Sequence, residues 1–234
     1  MTPEGFARWL ITLNAKLRGI NPALHDFDGE GVALGDPDTI GEEDKYIEHQ
    51  PPNQEDKPEL LTYVLQASQA LPNVQDAALL VAAAINQIHP FRDGNGKTSR
   101  LIYANLSAGQ DFVKANIKDV GADRNSIDIG STIPNKFLLK VARERLGDGA
   151  SDRELRAETV KVLCDAFSDS SIKMTNTDIP LRSFKMGANE EISLADYLRQ
   201  ATRNLVTGDL FVARFGRSDG GELKKKDGRF GNEW

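Results

Sequence analysis

Residues 76–100 read DAALLVAAAINQIHPFRDGNGKTSR. From Ala77 to Ile85 every residue is apolar, so a helix there has no polar face to turn to solvent and must be buried on every side. Its alanines let neighbouring helices approach closely, which makes Asp76 to Ile88 the expected central rod of a helical core. The rod delivers His89 at its C-terminal end. Immediately after it, Asp93-Gly94-Asn95-Gly96 disfavours helix, because both glycines resist it and asparagine tolerates left-handed backbone. The chain must turn there. After Gly96 the apolar spacing of Leu101, Ile102, Ala104 and Leu106 predicts a second helix, closed by Gly109.

A turn that runs into a helix start aims several N–H groups at one spot, and the helix adds the positive end of its dipole. Gly94, Asn95 and Gly96 therefore form a candidate phosphate-binding nest. Asp93, at its mouth, is the candidate Mg²⁺ ligand, since Mg²⁺ is ordinarily held by one or two carboxylates together with phosphate oxygens. Lys97 and Arg100 are three residues apart and share a helix face, placing two cations beside the nest. Arg100 is the better partner for a terminal phosphate because guanidinium makes bidentate contacts that an ammonium does not. His89 is left as the candidate general base, and Phe91 reads as a loop anchor in the core. A histidine ending a helix is commonly a cap, and D-G-N-G alone is an ordinary turn. A plain turn, however, has no need of His, Asp and two cations at fixed offsets around glycines.

Outward from this stretch the chain stays helical. Thr2 is placed to cap a helix with Pro3 in its first turn and Phe6, Leu10, Leu13 and Leu17 on one side. Gly19 to Pro58 reads as a long acidic loop in which Lys45 to His49 is a short strand or hairpin arm ended by Pro51-Pro52. Leu60 to Leu71 is a predicted helix followed by a Pro72-Asn73 turn. Further helices are expected over Asn135 to Leu146, after the Ser151–Glu154 capping box with Val160, Leu163 and Phe167 on one face, and after Ser193 with Leu194, Tyr197, Leu198, Ala201 and Leu205. Gly-rich, basic sequence from Arg214 to Trp234 reads as a flexible tail.

The chain has 234 residues, a net charge of −6 and a pI near 5.2. That balance argues against a broad nucleic-acid surface, so neither nucleic acid nor a DNA-binding role is expected. No stretch is apolar enough to span a bilayer and the first residues do not resemble a signal peptide, which points to a cytoplasmic protein without a membrane partner. Cys164 is the single cysteine and reads as inert packing on a helix.

Residues His89 to Arg100 resemble the signature of the Fic (Fic/Doc) family, H-P-F-x-[DE]-G-N-G-[RK]-x-x-R, at every defining position, with Lys97 where arginine is usual. The resemblance implies a mainly α, Fic-like helical bundle with a short β-hairpin flap and a helical C-terminal extension. It places a catalytic domain over residues 1–147, the extension over 148–210 and a basic tail over 211–234. It further implies a protein adenylyltransferase that moves AMP from Mg-ATP to a Ser, Thr or Tyr hydroxyl of a target protein. His89 would be the base, Asp93 would bind Mg²⁺, Gly94, Asn95 and Gly96 would form the nest, Arg100 would hold the γ-phosphate and Lys97 would assist. The flap, including Tyr46 to His49, would align the target by strand addition. Related proteins transfer UMP, phosphocholine or phosphate instead, and a nucleotide-binding regulator with little turnover is the alternative of another class. Family members are often restrained by an S/T-x-x-x-E-G/N helix. Ser218 to Glu222 and Thr39 to Glu43 have only its spacing, so an antitoxin-like inhibitory partner is the expected restraint. Delivery into another cell as an effector is the alternative location.

Overall fold

A computed structural model of the chain describes residues 1–24, 26–27, 51–107, 129–181, 184 and 186–207. The flap stretch 45–50, Gly109, the tail and both candidate inhibitory stretches lie outside the described residues. The described chain is mainly helical. In order it forms α1 (Pro3–Arg18), α2 (Lys57–Ala70), α3 (Val74–Ile88), α4 (Asn95–Ser107), the single turn α5 (Ile129–Thr132), α6 (Asn135–Leu146), α7 (Asp152–Asp165), β1 (Lys173–Thr175), β2 (Glu191–Ser193) and α8 (Leu194–Thr207).

Residues 78–85 of α3 are buried without interruption, as is Ile88, so the helix is enclosed as its composition requires. It packs against α2, α4, α5 and α7, and one continuous core runs from Phe6 of α1 to Ala201 of α8. Its start is fixed by the Asn73 side chain, which accepts from the Gln75 N–H at 2.8 Å. The expected first helix is equally well bounded. Thr2 accepts from the Gly5 N–H at 3.1 Å, while Gly19 closes the helix in the left-handed conformation at φ 69°.

Helix α2 begins at Lys57, three residues before the apolar pattern at Leu60 marks it. Pro58 lies in its first turn, where proline costs no hydrogen bond, so a residue that reads as a loop ending instead starts a helix. Around α7 the capping box is present in full, with Glu154 accepting from the Ser151 N–H at 2.8 Å. Those bonds hold the Glu154 carboxyl below its ordinary pKa.

The described β structure is a two-stranded antiparallel pair with Met174 opposite Ile192, and it falls in the C-terminal region. Nothing in the sequence reading anticipates it. Three-residue strands with one buried side chain, Met174, generate no periodic signal. The pair leads directly into α8, whose Arg199 grips Asp76 of α3 through two bonds of 2.9 and 3.1 Å. Helix α7 is tied to the same rod by Gln87 donating to Thr159 at 3.3 Å. Among the described residues no helix is long and apolar enough to cross a membrane.

Cys164 is buried in α7, and burial pushes its thiol well above the ordinary range. Native protein should therefore react with a chromogenic disulfide reagent far more slowly than denatured protein, which should release one equivalent at once. Leu80→Ala, at a fully buried α3 position, should lower unfolding free energy by about 2–5 kcal/mol in urea melts.

Candidate active site

The corner between α3 and α4 carries the sequence-expected residues. His89 is the C-cap of α3, with its N–H donating to the Ile85 carbonyl at 3.1 Å, and its own backbone is left-handed at φ 51° and ψ 57°. It is the one non-glycine with positive φ among the described residues. The chain then leaves the helix axis through Pro90 and Phe91. Phe91 is fully buried, its ring 5.5 Å from that of Phe27, so it anchors the loop as its position suggests.

Asn95 closes the loop from the other side. Its Oδ1 accepts from the Phe91 N–H at 3.0 Å and its Nδ2 donates to the Phe91 carbonyl at 2.5 Å. The side chain is therefore engaged in holding the turn, and only the main-chain N–H of Asn95 is directed to the helix start. Helix α4 begins at Asn95 rather than after Gly96, with Thr98 N–H bonded to the Gly94 carbonyl at 2.8 Å. The N–H groups of Asn95, Gly96 and Lys97 thus head α4 with no intrahelical acceptor, the arrangement that binds anions.

The two glycines serve different purposes. Gly94 has φ 83°, and a Cβ there would sit 2.7 Å from Asn14 Nδ2 of α1. Gly96 has ordinary helical backbone, but a Cβ on it would approach Arg100 Nη1 to 3.3 Å. Its missing side chain makes room for the guanidinium, which folds back along the first turn, and Arg100 as a residue is only 6% exposed. Lys97 is half-buried on the same turn. Asp93 stands outward with a 68% exposed side chain. One of its oxygens accepts from the Gly94 N–H at 2.7 Å, and the other lies 3.8 Å from Arg18 Nε.

Three contributors were not legible as site residues. Asn14, fully buried in α1, donates to the Asp93 carbonyl at 3.0 Å and to Thr98 Oγ1 at 3.1 Å, clamping the turn from 79 residues away in sequence. Its signal was a polar residue within the apolar face that includes Leu10 and Leu17. Arg18, one turn on, is the cation beside Asp93. Lys57, in the first turn of α2, is fully buried and donates from Nζ to the His89 carbonyl at 2.9 Å. A lysine next to a proline in loop-like sequence carries no hint of that burial.

Asn86 and Ser99 fix the crossing of α3 and α4. Asn86 Nδ2 donates to Ser99 Oγ at 2.6 Å, and that hydroxyl donates to the Ala82 carbonyl at 2.8 Å. The corner consequently presents a histidine, an outward carboxylate, a helix start and two neighbouring cations on a backbone pinned from α1, α2 and α3. Such a set can hold a polyphosphate at one end and accept a proton at the other.

Residues 7–106 match the Fic/DOC family. No curated protein and no solved structure matches the chain. Gly94→Ala should cost at least about 1 kcal/mol of stability, because a Cβ is disfavoured at φ 83° and meets Asn14. Thermal melts check the loss, and Gly96→Ala, with helical backbone, should be milder in stability.

Proposed function

We propose that the chain, whose residues 7–106 match the Fic/DOC family, is a Fic-type transferase and that the group it transfers is AMP, from ATP to a hydroxyl of a target protein. The observation that carries this reading is the corner itself: His89 ends the buried rod beside a helix start on which Gly96 makes room for Arg100. A triphosphate matches that start because its oxygens are strong acceptors for the first-turn N–H groups and for guanidinium. Asp93 suits Mg²⁺, since its carboxylate is outward and single, and phosphate oxygens ordinarily supply much of the remaining coordination. Bound there, the ion would neutralise phosphate charge as it develops on the leaving group.

The residues then divide the reaction. Arg100, with Lys97 beside it, holds the β- and γ-phosphates, and the first-turn N–H groups of α4 orient the α-phosphate. His89 accepts the proton of the incoming Ser, Thr or Tyr hydroxyl as its oxygen bonds to the α-phosphorus. The bond from that phosphorus to the bridging oxygen breaks, and pyrophosphate departs with the electron pair. The product is an AMP-modified protein. The target is a protein bearing an accessible hydroxyl, and an antitoxin-like partner remains the proposed restraint.

Incubation with α-labelled ATP, Mg²⁺ and a lysate should transfer label to protein. His89→Ala should lower the rate by at least about 100-fold, the scale of a lost general base, while nucleotide binding persists in calorimetry. Label transfer at the wild-type rate by that variant would remove His89 from the role. A parallel series with ATP, UTP, GTP and CDP-choline reads the transferred group by mass spectrometry, and UMP or phosphocholine adducts in place of AMP would replace the nucleotide assignment.

A further inference from the structure

Lys57 is the most deeply buried charged side chain among the described residues, and its ammonium donates to the main-chain carbonyl of His89. Buried ammonium groups are costly unless hydrogen-bonded, and an apolar side chain of similar volume is often neutral or stabilising in their place. The carbonyl it holds belongs to a residue in an uncommon conformation. At φ 51° a helix-ending residue is ordinarily glycine or asparagine, and a residue with a larger side chain is held there only by its surroundings.

Three restraints meet at this residue. The His89 N–H is bonded back to Ile85, Lys57 holds the carbonyl, and two residues on both main-chain groups of Phe91 are bonded to Asn95. The carbonyls ending α3 also form the negative end of its dipole, where a cation is favourable. Backbone dihedrals fix the direction in which Cβ, and hence the ring, leaves the chain.

We infer that Lys57 is a positioning residue for His89: its ammonium holds the His89 carbonyl and so fixes where the imidazole points. The catalytic part of this inference rests on His89 being the proton acceptor, whereas the conformational part does not. Two variants separate the contributions. Lys57→Met keeps length and removes charge and donor; Lys57→Gln keeps a neutral donor. The first readout is the ring NMR spectrum of protein labelled on its three histidines, His25, His49 and His89, assigned with His89→Ala.

In Lys57→Met the His89 ring signals should shift and broaden selectively, with Lys57→Gln in between. Turnover should fall by about 10- to 100-fold, the scale of a misplaced catalytic group, with KM for ATP within about twofold of wild type. Wild-type His89 signals in a folded Lys57→Met protein would overturn the inference, as would equal displacement of all three histidines with a matching rise in KM. Should Lys57→Met fail to fold, Lys57→Gln decides alone: selective displacement of His89 supports positioning and an unchanged spectrum sinks it. Absence of AMP transfer by the wild type would remove the proposed reaction, and the NMR arm would still decide the role of Lys57.

Discussion

Everything in this molecule depends on the enclosure of α3. A helix apolar on every side has no stable place at a surface, so α2, α4, α5 and α7 must close around it. Alanines at 82–84 bring those neighbours close, and close packing leaves little freedom for the rod to tilt or slide. Its C-terminus therefore becomes one of the most securely placed points in the fold. A side chain mounted there inherits that fixity, and His89 is the residue mounted there.

Fixity of the rod alone does not orient a side chain at its last residue. The turn after it supplies the rest, through bonds that come from separate parts of the chain: Asn14 from α1, Lys57 from α2 and Asn95 from α4. Each is a buried side chain bonded to main-chain groups of the turn, which is how an irregular backbone is kept in one conformation when no ladder is available to it. At Gly94 both the positive φ and the approach of Asn14 disfavour a Cβ, while at Gly96 the constraint is spatial.

The helical class was legible because it is written in periodicity and caps. Thr2 and Ser151 each perform the capping their positions imply, and the apolar run of α3 announces its burial. The motif was legible as chemistry because its residue types are improbable in a plain turn. What sequence could not supply was the support. Asn14 and Lys57 act through contacts 79 and 32 residues distant, and such pairs leave no local pattern. The start of α2 was hidden because Pro58 reads as a break when its position in the first turn is unknown. The β1–β2 pair escaped because its strands are too short for alternation to register. In three dimensions α7 and α8 are bonded to α3 through Gln87 and Asp76.

Charge completes the account. The chain as a whole carries −6, yet residues 89–100 hold three cations, Arg92, Lys97 and Arg100, against the single carboxylate of Asp93, and Arg18 adds another from α1. A local positive field in an acidic protein draws a small polyanion to one place without inviting a phosphate backbone elsewhere. The helix start adds its partial positive charge at the same point. Asp93 stands outward among these cations with its carboxylate largely exposed. Arg18, 3.8 Å from that carboxylate, is near enough to balance part of its charge, and as a partly exposed pair the two are only weakly bound to each other.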